Sequence, residues 1–128
     1  MSPNVVVGNA LTEGEMRRGW FMGHFITPAD DPRSLSDLEL KCAVHSSGEG
    51  RAEWATNTEA TTLSLLISGR FRIQFPDQEI VLANVGDYVL WLPGVAHHWC
   101  AEIDSTILTI RWPSIPGDSL NLKSKSAN

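Results

Sequence analysis

The segment from residue 86 to residue 99 constrains the fold of this 128-residue chain more than any other stretch. It opens with a Gly-Asp turn signal, and the apolar run Tyr88–Leu92 that follows is typical of a β-strand. Pro93 and Gly94 then reverse the chain, because proline fixes φ and glycine accepts positive φ. A second predicted strand begins at His97, so we expect two strands folded back on each other, with His97 just past the corner.

Short strands separated by breakers continue through the chain. Thr61–Ser68 and Arg70–Phe75 flank Gly69 and are predicted to form a hairpin. Further strands are predicted over 20–26, 38–45, 79–83, 97–102 and 106–112, with a helical turn near 11–18 and a loop over 46–53. Short strands at regular spacing, without a long helix, predict an all-β antiparallel sandwich or barrel.

The 38–45 strand alternates between an apolar and a polar face. The apolar face carries Leu38, Leu40, Cys42 and Val44, and the polar face carries Glu39, Lys41 and His45. Such alternation is typical of a half-buried antiparallel strand whose apolar residues face the core. We therefore expect His45 to point away from the core.

Composition limits the classes of function. Acidic and basic residues are mixed along a chain of net charge −5, so neither a nucleic-acid footprint nor a membrane-binding surface is predicted. The apolar runs are too short for a transmembrane helix, and the N-terminus lacks the features of a secretory signal, so a cytoplasmic location is expected. Cys42 and Cys100 are expected to be reduced thiols, with a disulfide between them left open.

The segment 86–99 resembles the second conserved motif of the cupin superfamily, a family of small β-barrels. The chain supplies the motif residues Gly86, Asp87, Pro93, Gly94 and His97, and it departs from the motif at Leu92 and Ala101. The resemblance covers about residues 38–112 and implies a cupin-like double-stranded β-helix, which is a jelly-roll-like barrel. Residues 1–37 are then an N-terminal arm with one strand, and residues 113–128 are a flexible tail.

The resemblance also implies where a metal would bind. In cupins a first motif supplies two histidines and a glutamate, which bind a divalent metal together with the histidine of the second motif. Those three positions correspond to Thr56, Thr58 and Thr62 here, and a one-residue shift places Ala55 and Asn57 at the histidine positions instead.

Neither alignment restores a metal ligand. Threonine hydroxyls are weak donors for transition metals, which need imidazole, thiolate or carboxylate groups. We therefore expect no cofactor, and a divalent transition metal, if one is bound, would use His97 with His45.

The leading hypothesis is a metal-free barrel that binds a small molecule. Its lumen is expected to be lined by Trp54, Thr56, Thr58, Thr62, His97 and Trp99. His97 suits a polar or anionic ligand, because imidazole can donate, accept or titrate near neutral pH. Arg72 and Arg111 could bind a carboxylate at the barrel mouth, or could form ion pairs on the outer face.

Two other classes of function stay open. One is a cupin-type enzyme, either a metal-dependent oxygenase with unconventional ligands or an isomerase or lyase that uses His97 as a general base. The other is a structural or dimerisation module whose lumen is packed shut. A homodimer is expected in any case, because the N-terminal strand of cupin-like proteins often packs on a partner subunit.

Overall fold

The computed structural model describes residues 4–121, which form two antiparallel five-stranded sheets. The strands are β1 (Trp20–Met22), β2 (Glu39–His45), β3 (Gly50–Asn57), β4 (Thr61–Ser68), β5 (Phe71–Phe75), β6 (Gln78–Leu82), β7 (Tyr88–Trp91), β8 (His97–Ala101), β9 (Ser105–Trp112) and β10 (Ser119–Asn121). One short helix, α1 (Ala10–Glu13), and a 3-10 turn (Glu15–Arg17) precede β1, where the helical turn is predicted. The all-β antiparallel fold class is confirmed.

Along the chain, the strands are assigned mostly in alternation to one sheet and then to the other. The first sheet has the order β1-β2-β9-β4-β7, and the second has the order β10-β3-β8-β5-β6. Consecutive strands therefore fall mostly in opposite sheets, as in a jelly roll.

This alternation corrects two sequence predictions. β4 and β5 flank Gly69 but lie in different sheets, and β7 and β8 flank the Pro-Gly pair but also lie in different sheets. Neither pair is a hairpin; β5 and β6 form a true one. Turn residues mark where the chain changes direction, and they do not distinguish a hairpin from a corner between sheets.

The corner at Gly69 requires glycine for two reasons. Its φ of +102° lies in the left-handed region that side chains rarely adopt. A Cβ atom at this position would also collide with the Asp104 carbonyl oxygen and the Ser105 side chain.

The Gly-Asp turn is stabilised by the carboxylate of Asp87. This side chain accepts hydrogen bonds from the backbone N–H groups of Ala83 and Asn84, at 3.1 and 2.9 Å. These bonds lower the pKa of Asp87, because they stabilise its charged form.

At the next corner the N–H of Gly94 donates to the carbonyl of Asn57 at 2.8 Å, and this bond connects the start of β8 to the end of β3.

The orientation of β2 is opposite to the one that its sequence pattern predicts. Glu39, Ala43 and His45 are buried between the sheets, whereas Val44 on the apolar face is exposed. The expectation that His45 points away from the core is therefore wrong. The alternation correctly identifies two faces, but it assigns the wrong one to the interior, because the interior here contains polar groups.

An apolar cluster lies between the sheets. Its buried members are Leu66, Phe71, Ile73, Phe75, Leu82, Trp91, Ala101 and Ile107, which come from both sheets. Because both sheets contribute, burial of this cluster is what holds them together.

The C-terminal segment folds onto the barrel. Residues 119–121 form β10, which pairs with β3, and Asp118 is buried. Its carboxylate accepts hydrogen bonds from the backbone N–H groups of Glu59 and Ala60, at 2.7 and 3.1 Å. The predicted flexible tail is therefore wrong over residues 113–121, and its remainder, 122–128, lies outside the described residues.

The structure also bears on the predictions for the two cysteines and for a transmembrane helix. Both cysteines are free thiols, so the alternative of a disulfide does not apply. Within residues 4–121, no helix has the length and apolar character needed to cross a membrane.

We expect Leu66→Ala to destabilise the fold strongly. Leu66 is completely buried in the cluster, so its truncation removes apolar burial and leaves a cavity. The free energy of unfolding, measured by urea denaturation, should fall by about 2–5 kcal/mol. Val85→Ala is the matched control, because Val85 is 78% exposed. A similar loss for both variants would contradict the position of the core.

Candidate functional site

An open cavity of about 820 Å³ lies between the two sheets. Its walls come from β1, β2, β4, β7 and β9 of the first sheet and from β3, β5 and β8 of the second. Leu11, Glu15 and Arg18 of the N-terminal arm and Ser119 of β10 also line it. Its volume is in the range of pockets that enclose small organic ligands.

The first sheet presents two rows of polar side chains to this cavity. In one row Trp91, Thr62 and Arg111 are neighbours across β7, β4 and β9. In the next row Ser64, Thr109 and Lys41 are neighbours across β4, β9 and β2, and Lys41 also pairs with Trp20 of β1. The cavity wall is polar because inward positions of four adjacent strands, β2, β9, β4 and β7, carry these residues.

The cavity lining is rich in positive charge. Arg18, Lys41, Arg51 and Arg111 line it, whereas its carboxylates are Glu15 and Glu49. Among residues 4–121, no carboxylate lies within ion-pairing distance of Lys41 or Arg51. The cavity therefore carries an excess of positive charge, although the whole chain is acidic.

Arg111 is held in place by a buried polar cluster. Its Nη1 atom lies 3.6 Å from Oε2 of Glu39. The other oxygen of Glu39 accepts a hydrogen bond from the hydroxyl of Ser114 at 2.7 Å, and that hydroxyl accepts one from the backbone N–H of His24 at 3.0 Å. Burial lowers the pKa of Arg111, and the negative charge of Glu39 opposes this effect. The cluster fixes the guanidinium at the cavity wall.

Lys41 and Arg111 both contact the ring of Trp20. The Nζ atom of Lys41 lies 5.7 Å from the ring centroid, and the guanidinium carbon of Arg111 lies 4.7 Å from it. An aromatic ring attracts cations through its quadrupole, so Trp20 holds two positive groups near each other.

Burial and neighbouring cations make Lys41 unusually acidic. Removal from water is the largest effect, and the charges of Arg111, Arg51 and Arg18 add to it; together they lower the pKa of Lys41 to about 8. Glu49 acts in the opposite direction. A substantial fraction of Lys41 is therefore a neutral amine near physiological pH.

Several buried polar atoms on the cavity wall have no protein partner. Within the described part of the chain, the Thr62 hydroxyl, the Trp91 indole N–H and the Nε atom of Arg111 make no hydrogen bond. These three residues form the first polar row. Because buried polar groups are normally satisfied, they are available to a ligand or to water.

The opposite side of the cavity is aromatic. The rings of Phe71 and Trp99 are stacked, with centroids 5.2 Å apart, and His45 lies 4.4 Å from Trp99. The Nδ1 atom of His45 is 2.8 Å from Oε2 of Glu49. This hydrogen bond is the main reason that the pKa of Glu49 is lowered. The pair closes this part of the wall.

His97 is a buried and neutral side chain. Its Nδ1 atom lies 3.1 Å from the carbonyl oxygen of Val95, and its ring lies 4.7 Å from that of Trp91. Burial lowers the pKa of His97 to about 4; the Val95 hydrogen bond opposes this effect, and the charges of Arg111 and Arg51 reinforce it. With Nδ1–H donating to Val95, Nε2 is left as an acceptor.

The structure brings together half of the lumen residues that the sequence predicts. Thr62, His97 and Trp99 line the cavity. Trp54, Thr56 and Thr58 do not, which corrects their expected placement. On β3 the buried positions are Ala55 and Asn57, so the alternate residues Trp54 and Thr56 face outwards. Trp54 packs instead against His98, with ring centroids 4.5 Å apart, and Thr58 is exposed past the end of β3.

The residues present do not fit the metal of the cupin family. Within residues 4–121, no three histidine, cysteine, aspartate or glutamate side chains are grouped closely enough to hold an ion. The first-motif positions carry threonine, alanine or asparagine in either alignment. His45 and His97 both line the cavity, but each has its Nδ1 engaged by another group, Glu49 and Val95 respectively.

Sequence reasoning missed three of the four cavity cations. Arg18, Lys41 and Arg51 are not predicted to face the lumen, whereas for Arg111 two placements are open. Arg111 proves to line the cavity, whereas Arg72 forms outer ion pairs with Glu79 and Glu102 at 3.9 and 3.4 Å. One signal in the sequence could have located Lys41. The predicted strand 38–45 has a continuous polar face of Glu39, Lys41 and His45, and a barrel that binds a polar ligand can turn such a face inwards.

Comparison with solved structures identifies the fold. A conserved uncharacterized protein with a double-stranded β-helix domain from Klebsiella pneumoniae matches with a TM-score of 0.59 at 15% identity, over 67% of this chain and 75% of its own. KdgF from a Halomonas species matches with a TM-score of 0.54 at 20% identity, over 62% and 73% of the two chains. A cupin-2 domain containing protein from Shewanella frigidimarina matches with a TM-score of 0.51 at 22% identity, over 59% and 71%.

The chain thus has a cupin-like double-stranded β-helix fold, as the resemblance implied. No protein-family profile and no curated protein matches the sequence. The likeness to solved structures is at low identity, and it identifies the fold alone.

We expect the burial of His97 to make the fold sensitive to acid. Its pKa of about 4 in the folded chain is below the ordinary value of 6.5, so the unfolded chain binds more protons between these values. Stability is therefore lost as pH falls from about 6.5 towards 4. Between pH 7 and pH 5, the free energy of unfolding should fall by about 2 kcal/mol more in the wild type than in His97→Asn.

Urea denaturation at the two pH values measures this difference, and NMR titration of the His97 ring measures its pKa directly. Equal pH dependence of both proteins, together with a titration midpoint near 6.5, would contradict the buried neutral state.

Proposed function

We propose that this protein is a metal-free barrel that binds one small organic anion between its two sheets. The observation that carries the proposal is that Lys41 and Arg51 line the cavity without a carboxylate partner in the described chain. Charges removed from water are normally paired, so an anionic ligand would supply the missing partner.

The other polar groups of the wall support the same ligand class. The guanidinium of Arg111 can bind a carboxylate through two parallel hydrogen bonds. The free hydroxyl of Thr62 and the free N–H of Trp91 lie in the same row and can donate to further oxygen atoms. Nε2 of His97 can accept a hydrogen bond from a ligand hydroxyl. A small acid that carries hydroxyl or carbonyl oxygens satisfies all of these groups.

The open cavity favours binding over a purely structural role. The structural alternative requires a lumen packed shut by side chains, whereas the lumen holds about 820 Å³ of space.

The homodimer that the sequence suggests stays a prediction. This prediction rests on the aromatic N-terminal strand, which was expected to pack on a partner subunit. Trp20 of that strand lines the cavity of its own chain.

We expect small acids, but not their neutral analogues, to stabilise the protein against heat. A ligand at a hundredfold excess over its Kd stabilises the folded state by about 2.7 kcal/mol. The thermal shift should be measured with lactate, 2-hydroxyglutarate and gluconate, and with the neutral analogues lactamide and glucose. Equal stabilisation by lactate and lactamide, or by gluconate and glucose, would contradict an anion site.

We expect Arg51→Gln to weaken this binding about tenfold or more, because a hydrogen bond to a charged group contributes about 1.5–3 kcal/mol. Isothermal titration with the best-binding acid measures the Kd. Arg72→Gln is the matched control, because Arg72 lies in outer ion pairs away from the cavity. Equal weakening by both substitutions would place the effect outside the cavity and would contradict the proposal.

We expect the protein purified without a metal-affinity tag to contain well under one equivalent of transition metal per chain. The expected result is the same after incubation with iron, zinc, nickel or manganese followed by desalting, because only His97 of the four cupin ligand positions carries a metal-binding side chain. Elemental analysis measures the content, and a sample treated with a chelator provides the baseline. Retention of about one equivalent would overturn the metal-free site and would direct mutagenesis to His45 and His97.

A further inference from the structure

The surroundings of Lys41 are those of a reactive amine. Lys41 lines the cavity, has no carboxylate partner in residues 4–121, and pairs with Thr109 on the adjacent strand β9. The charged groups that face it are Arg111 on β9, Arg51 on β3, Arg18 of the N-terminal arm and Glu49 before β3. Three of these four groups are cations, which disfavour a further positive charge on the lysine.

We propose that Lys41 forms a reversible imine with a 2-oxo acid bound in the cavity. This inference rests on the proposed anion site and assigns it a substrate class and a covalent step. Lysines that are desolvated or placed beside other cations are activated as nucleophiles towards carbonyl compounds. The lowered pKa of Lys41, about 8, is consistent with that placement.

The positions of Lys41 and Arg111 select a carbonyl next to a carboxylate. Both groups contact the ring of Trp20, at 5.7 and 4.7 Å from its centroid. In a 2-oxo acid the carbonyl carbon is bonded directly to the carboxylate. Lys41 lies opposite Thr109 on β9, two residues from Arg111, so the two side chains are diagonal neighbours on one face of the sheet. A carboxylate held by Arg111 would therefore bring the carbonyl carbon towards the amine of Lys41. The Trp20 ring would also stabilise the positive charge of a protonated imine.

The covalent step is balanced without any other reactant. The neutral amine of Lys41 attacks the carbonyl carbon, and a carbon–nitrogen bond forms. The carbonyl oxygen leaves as water with the two hydrogens of the amine, so no oxidant or reductant is consumed.

The chain offers an internal control for this chemistry. Its lysines are Lys41, Lys123 and Lys125, and the last two lie outside the described residues. At pH 7.5 an amine of pKa 8 has a neutral fraction about a hundredfold greater than that of an ordinary lysine. Trapping should therefore be strongly selective for Lys41.

The test is reductive trapping on the full, untagged chain. The protein is incubated with pyruvate or 2-oxoglutarate and sodium cyanoborohydride, which reduces an imine to a stable amine. Intact mass and peptide mapping then locate the adduct. We expect one adduct per chain at Lys41, at a rate at least tenfold above that at Lys123 or Lys125. Dihydroxyacetone, which has a carbonyl but no carboxylate, should react at least tenfold more slowly at Lys41.

Two variants locate the covalent chemistry. Lys41→Arg cannot form an imine, so the adduct that is mapped to this position in the wild type should disappear. A double substitution of Lys123 and Lys125 by arginine should leave trapping at Lys41 unchanged. Because the adduct is mapped on the wild type, the test does not depend on either variant folding.

The outcomes distinguish this inference from the proposed function. Stabilisation by lactate and pyruvate without an adduct at Lys41 would overturn the imine and leave the anion site standing. Equal labelling of all amines, or equal reactivity with dihydroxyacetone, would also overturn the inference. If lactate and pyruvate neither stabilise the protein nor leave an adduct, both the imine and the binding of these acids would fall.

Discussion

The ion pair between Glu39 and Arg111 is the interaction on which the polar interior depends. It joins β2 to β9, and through Ser114 and His24 it also reaches the C-terminal segment and the loop after β1. An unpaired guanidinium on the barrel wall would be costly, whereas one held by a buried carboxylate still has donors free for a ligand. Glu39 thus offsets part of the charge of Arg111 without occupying the cavity itself.

The fold was largely predictable from the sequence, because turn residues and short strands are local signals. The helical turn before β1, most of the strands and the antiparallel class were found in this way. The first half of β3 was not, because residues 50–53 fall within the predicted loop 46–53, and β10 falls within the predicted tail. The pairing of strands was not, since Gly69 and the Pro-Gly pair reverse the chain equally well in a hairpin and at a corner between sheets. The C-terminal segment was also missed, because Asp118 is buried through hydrogen bonds to backbone groups that lack a sequence signature.

The candidate site was predictable only in part. His97 was found because its motif fixes the corner before β8, and Thr62 was found by counting back from Gly69. Lys41 was missed because an alternating strand was interpreted with its apolar face inwards, as is usual for a half-buried sheet. In a barrel whose interior binds a polar molecule, the polar face can be the inner one. The placement of Trp54 and Thr56 in the lumen was wrong for a related reason. Successive residues of a strand point to opposite faces, so an error of one residue moves a side chain from the inner face to the outer one.

The N-terminal arm and β10 have a further consequence through their position. Leu11, Glu15 and Arg18 near one end of the described chain, and Ser119 near the other, line the same cavity. The wall of the cavity therefore depends on two segments outside the central strands β2–β9. Removal of residues 4–18 or 113–121 would take away part of that wall and expose the polar lining to water, so a shortened chain would keep both sheets and lose the enclosure around the site.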